Sequence, residues 1–214
     1  MPKRNNPRAD HLRRALAQEA ARIMAEQGID DYLLAKRKAA ERLGATDIAV
    51  LPRNVEIEEA LAEHHRLFGA RTHGIALHAS RRAAERAMQL LARFEPRLVG
   101  GVLSGTASAH SEINLHVFAD SPESVALELM DRGVPHEIVE RRLRYEPDRL
   151  VAYTAVKFQA GSHAIDAVIF PLDGIRQAPS SPVDGRPMRR AGLAEVRALL
   201  DQSATADHEN AYRS

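Results

Sequence analysis

Ser104-Gly105-Thr106-Ala107-Ser108-Ala109-His110-Ser111-Glu112-Ile113-Asn114-Leu115-His116-Val117-Phe118 is a run of small and hydroxyl residues that passes directly into an alternating segment. Alternation with period two marks a strand whose Ile113, Leu115 and Val117 face a core, while Glu112, Asn114 and His116 line the other face. A tight turn at Gly105-Thr106 presents backbone N–H groups to an anion. The stretch therefore reads as a phosphate-binding turn feeding a strand that carries one carboxylate and one amide.

Upstream of this stretch, Leu98 to Leu103 reads as a buried strand that pairs with Glu112–Phe118 across the small-residue loop. Downstream, Pro122 opens a helix to about Asp131 that Gly133 ends. Glu137 to Tyr145 reads as a charged edge strand and Val151 to Ala160 as a more interior one. Gly161-Ser162 is a two-residue hairpin turn with glycine first, as a type II′ turn requires. Counting outward from it sets Ala160 opposite His163, Phe158 opposite Ile165 and Lys157 opposite Asp166. A Pro- and Arg-rich segment follows Pro171, then a short helix over about Leu193–Asp201. The polar residues from Ser203 read as a disordered tail.

Residues 10 to about 95 carry the helical period instead. The first helix runs from a cap at Asp10 to Gly28, with Leu12, Leu16, Ala20, Ile23 and Met24 on one face. A second begins at Asp30 or Asp31 and stops at Gly44. A third is capped by Asn54 and ends at Gly69, and a fourth covers about 75 to 94. The expected fold is α+β: a helical region over 1–95, a small mixed β-sheet core with flanking helices over 96–202, and a tail over 203–214.

Composition sets outer limits on function. The 214 residues hold 44% hydrophobic and 28% charged side chains, as in an ordinary soluble globular protein. No apolar run approaches the roughly 20 residues that span a bilayer, so no membrane partner is expected. The basic start, Met1 to Arg8, leads into no apolar segment and does not read as a secretory signal. With no cysteine, thiolate chemistry and disulfides are excluded, and a cytoplasmic location is expected. A net charge of +1 is far from the basic excess of a dedicated nucleic-acid binder. Lys36-Arg37-Lys38, Arg81-Arg82, Arg141-Arg142 and Arg189-Arg190 read as local, solvated basic clusters.

The order of strand, small-residue turn, acidic alternating strand, helix and Asp-bearing hairpin resembles the nucleotidyltransferase fold of the DNA polymerase beta type over about residues 96–172. The matching residues are Gly105-Thr106, Glu112-Ile113-Asn114, and Asp166 within Ala164 to Phe170. Asp31 to Gly44, Leu51 to Ile57 and Ser181 to Arg190 extend the likeness over nearly the whole chain, to a group of uncharacterised proteobacterial proteins with the same nucleotidyltransferase-like core. The resemblance implies binding of a nucleoside triphosphate with Mg²⁺ or Mn²⁺, and transfer of a nucleotidyl group to a protein, an RNA end or a small molecule. It assigns catalysis to Asp166 and Glu112, metal ligation to Glu112, Asn114 and Asp166, and nucleotide contacts to Gly105, Thr106, Ser111, Asn114 and Lys157.

This chain departs from the pattern in its acidic pair. Asn114 stands where the family has a second Asp, and an uncharged amide compensates a dication poorly. One ion fits this set better than two. The alternative reading keeps the fold as a degenerate module that binds nucleotide, RNA or protein. A zinc site at His110, Glu112, His116 and Asp166 ranks below Mg²⁺, and no phosphate-loop, dinucleotide or Gly-x-Ser-x-Gly motif occurs.

Overall fold

The computed structural model describes residues 7–45, 50–68, 70–146 and 149–211, which form two compact units. The first comprises residues up to His73 together with Pro182–Asp184, and the second holds the rest. The boundary thus falls at Gly74, near the start of a helix, earlier than the change of sequence period near residue 95. The fold is α+β with a helical N-terminal region.

Among the described residues the first unit holds α1 (Pro7–Gln27), α2 (Tyr32–Leu43) and α3 (Asn54–Phe68). Leu16, Ala20, Ile23 and Met24 recur at helical spacing along α1 and are buried against Ala35, Ala39, Ile57 and Leu61. Asp31 caps α2, its Oδ1 accepting from Leu33 N at 2.7 Å and Leu34 N at 3.1 Å. Gly44, left-handed at φ 62°, ends that helix. Asn54, expected as the cap of α3, lies inside the helix and donates to Pro182 O at 2.6 Å. Glu56 satisfies the helix start instead, accepting from Arg53 N at 2.7 Å. Gly69, the expected end of α3, lies outside the described residues.

The second unit begins with most of α4 (Ala70–Leu90) and continues through β1 (Arg97–Val99), α5 (Gly101–Ser104), β2 (Ile113–Phe118) and α6 (Pro122–Asp131). It ends with β3 (His136–Glu146), β4 (Arg149–Ala160), β5 (His163–Phe170) and α7 (Leu193–Ala211). The helix α7 extends past Ser203, where the polar sequence suggested disorder. The sheet order is β1-β2-β5-β4-β3, with β2 and β5 parallel and all other pairs antiparallel. Ile113, Leu115, Val117, Ile165, Ala167, Ile169, Val156 and Phe158 point to one face and pack with Ala84 and Met88 of α4, Val125 and Leu129 of α6 and Val196 of α7. The strand β3 is one edge of the sheet, and its exposed Glu137, Glu140, Arg142 and Arg144 discourage further pairing.

The hairpin register is as the turn requires, with Gly161 at φ 69° and Lys157 opposite Asp166. One expected strand is shorter than read. After Val99 the chain leaves the sheet at Gly100, whose φ of 72° and ψ of −157° lie in a region essentially reserved for glycine. Gly101 then starts the one-turn helix α5, so Val102 and Leu103 reach the core from a helix rather than a strand. Gly100→Ala is expected to lower unfolding free energy by about 1–3 kcal/mol through backbone strain alone. Urea denaturation checks this, and an unchanged midpoint would contradict the assigned backbone.

Candidate functional site

The sheet face opposite the helix-packed core gathers the residues singled out from sequence. Asn114 and Asp166 lie side by side in register on the parallel pair β2 and β5. Lys157 on β4 is opposite Asp166, and Glu112, two residues before Asn114, shares its parity. The alternation that buries Ile113, Leu115 and Val117 therefore puts Glu112, Asn114, Asp166 and Lys157 on a common surface.

The charges on that surface are paired diagonally. Lys157 Nζ donates to Glu112 Oε1 at 2.6 Å rather than to Asp166. Asp166, only 4% exposed, accepts from Arg141 Nε on Oδ2 at 2.7 Å. Its Oδ1 is buried with no hydrogen-bond partner among the described residues. Arg141 aligns with Tyr153 on β4, so its side chain crosses β4 to reach β5. Ala155, the residue between Tyr153 and Lys157 on that face, is small enough to leave the way open. Arg141 was read from sequence as part of a solvated pair, because the loop before β4 does not fix the β3 register.

The small-residue loop is folded inward. The carbonyl of Gly101 accepts from Gly105 N at 2.8 Å, Thr106 N at 3.0 Å and Ala107 N at 3.1 Å. The amides of Gly105 and Thr106, expected to face an anion, are thus engaged in closing α5. A Cβ on Gly101 would stand 3.1 Å from Ala107 N, and one on Gly100 would stand 3.4 Å from Asn114 Nδ2. Gly100 and Gly101 are therefore the glycines that let the loop approach the strand carrying Asn114. Ser111 is buried, its Oγ accepting from Ser108 N at 3.0 Å.

Further along the same face, His116 is 2% exposed and packs against Phe170 with ring centroids 4.6 Å apart and the rings tilted by 52°. Arg190 Nε donates to His116 Nδ1 at 3.0 Å, which fixes Nδ1 as the acceptor and puts the imidazole proton on Nε2. Burial, with Arg190 adding to it, lowers the His116 pKa to about 3. The Arg190 guanidinium lies 5.1 Å from the Phe118 ring centroid and 4.9 Å from that of Phe170, and donates to Gly174 O at 2.8 Å. Arg190 thereby ties the segment after β5 to the sheet. Its role was missed because contacts across 74 residues leave no local pattern.

Among the described residues no three His, Asp or Glu side chains converge as a metal-binding group, so the zinc set of His110, Glu112, His116 and Asp166 is not assembled. Two carboxylates and one amide remain on one face, a hard-oxygen donor set of the kind Mg²⁺ takes. The partnerless, buried Oδ1 of Asp166 fits an ion or a tightly held donor, since such groups are rarely left unsatisfied. A second ion would lack a bridging carboxylate at Asn114. Comparison of the chain with models of protein families, with curated proteins and with solved structures finds no match. No described helix is long and apolar enough to cross a membrane.

Proposed function

We propose that this chain is a nucleotidyltransferase-like protein that binds a nucleoside triphosphate with one Mg²⁺ ion on the face formed by β2, β5 and β4. The observation that carries this reading is the in-register pair of Asn114 and Asp166, flanked by Glu112, with Asp166 buried and one of its oxygens unpartnered. Glu112 and Asp166 would hold the ion, with Asn114 supplying an uncharged oxygen. An ion held by these residues would supply positive charge against the phosphates as pyrophosphate leaves. Lys157 and Arg141 supply positive charge beside the carboxylates, and Lys157, long and partly exposed, can exchange Glu112 for a phosphate oxygen. In this reading Asp166 would accept the proton of an acceptor hydroxyl on a protein, an RNA end or a small molecule.

One observation favours a second reading. Each carboxylate already has a cation, Lys157 on Glu112 and Arg141 on Asp166. A site neutralised in this way suits a module that binds nucleotide or RNA without transfer. Incubation with each α-labelled nucleoside triphosphate and Mg²⁺ or Mn²⁺ separates the two. Pyrophosphate release with a labelled product supports transfer, whereas binding without release supports the second reading. Absence of nucleotide binding overturns both. Lys157→Ala is expected to weaken nucleotide binding by about 10-fold, the scale of one charge-assisted contact. Equilibrium titration checks it, and unchanged affinity would remove Lys157 from the site.

A further inference from the structure

We propose that the outer edge of β3 pairs antiparallel with β3 of a second copy of this chain, about a two-fold axis at Arg141. The two edges of the sheet are finished differently. At one, β1 is three residues long and is closed by its own chain, Leu98 N donating to Ala191 O at 2.8 Å and Ala191 N to Leu98 O at 2.9 Å. At the other, β3 runs for eleven residues with no register shift before Arg144. Ser180 closes only its far end, donating from N to Arg144 O and from Oγ to Tyr145 O, both at 2.6 Å. From His136 to Leu143 no other backbone segment among the described residues pairs with the outer side. Glu140 O accepts from Arg141 Nη1 at 3.2 Å, and a carbonyl has a second lone pair to offer. A long, regular edge of this kind is a template for another strand.

The charges that keep a neutral or like-charged strand off this edge are complementary to themselves in one register. An antiparallel pair about Arg141 sets Glu140 opposite Arg142 of the second copy, and Arg142 opposite its Glu140, on one face. Within a single chain Arg142 Nε donates to Glu140 Oε1 at 3.0 Å with both side chains well exposed, and such an isolated surface pair contributes little. Two copies make it a quartet of alternating sign, in which opposite charges lie directly across the strands. On the other face Val139 falls opposite Leu143, extending the apolar cluster that both residues join beside Phe118 and Phe170. The two Arg141 side chains meet at the axis but turn away from each other, since each reaches across β4 to Asp166. Ile138, 61% exposed, falls opposite Arg144 of the second copy, whose methylene stem can cover it. Neighbouring registers lose this match. An axis at Glu140 or Arg142 sets like charges face to face, and one at Val139 opposes Ile138 to Glu140.

The interface stands apart from the nucleotide reading, because β2 and β5 lie inside the sheet, away from this edge. A strand pair of this length falls at the low end of interface size, below roughly 1,200 Å², so association is weak. Sedimentation velocity of the full chain between about 10 and 500 µM tests it, a range that resolves micromolar dissociation constants. Wild type is expected to pass from monomer to dimer across that range. Glu140→Arg and Arg142→Glu, both changes to exposed side chains, are each expected to weaken the dimer about 10-fold, because each sets like charges opposite one another twice. The double variant Glu140→Arg/Arg142→Glu restores the complementarity and is expected to dimerise as wild type does. A wild type that stays monomeric throughout overturns the proposal, as does a dimer indifferent to the single reversals or a double variant that stays monomeric.

Discussion

Replacing Asp166 by Ala is expected to weaken binding of the Mg²⁺–nucleotide complex at least 100-fold and to abolish any pyrophosphate release. The substitution removes the most buried carboxylate on the face and the only one with a buried, partnerless oxygen among the described residues. It also leaves Arg141 without its partner, so a loss of binding could come from disturbed folding. Breaking a fully buried pair from one side costs about 3–5 kcal/mol. Arg141 is a third exposed and can turn to water, so the penalty here is nearer 1–2 kcal/mol. The companion variant Arg141→Gln tells the two effects apart. It also breaks the pair but frees Oδ2, so it is expected to bind Mg²⁺ as tightly as wild type or more tightly. If Arg141→Gln lost metal-dependent binding to the same extent as Asp166→Ala, the pair would be structural and the carboxylate would not be a ligand.

The second large effect is on stability in acid. His116 in the folded chain holds its pKa near 3, while in the unfolded chain an imidazole takes a proton from about pH 6.5. Between those values the unfolded state binds the extra proton. The stabilisation is therefore complete above about pH 6.5 and is lost as pH falls toward 3. Each pH unit in that window removes about 1.4 kcal/mol, or on the order of 2–3 kcal/mol between pH 7.5 and 4.5. His116→Asn keeps an acceptor for Arg190 Nε and does not titrate. Urea unfolding at the two pH values is expected to show a smaller difference for the variant, by roughly that amount. An equal pH dependence in the two proteins would mean that His116 is protonated in the fold.

Alternation in β2 and the glycine of the β4–β5 hairpin made the central sheet readable from sequence, because both are local. Parity alone puts Glu112, Asn114 and Asp166 on one face, and the turn at Gly161-Ser162 sets Lys157 opposite Asp166. What stayed hidden depends on distance in the chain. Long side chains reach diagonally, so Lys157 goes to Glu112 and Arg141 passes over Ala155 to Asp166, and neither follows from a register count. The loop misled for a physical reason as well. Gly100-Gly101 read as part of a buried strand and Gly105-Thr106 as an anion-facing turn, but only backbone dihedrals tell which pair ends the strand and which amides turn inward to Gly101 O. The buried Arg81 looked like one of several surface basic pairs, since a helix at its helical period does not reveal which charged residue meets a carbonyl 21 residues later.

The central claim is that the face carrying Glu112, Asn114 and Asp166 takes one divalent ion together with a nucleotide. Counting Mn²⁺ bound per chain by electron paramagnetic resonance, in the presence of a saturating non-hydrolysable nucleoside triphosphate, tests it most directly. The account predicts one tightly bound ion in the wild type, lost in Asp166→Ala and weakened in Glu112→Gln. No bound ion beyond that held by nucleotide free in solution, or a bound ion indifferent to both substitutions, would contradict it.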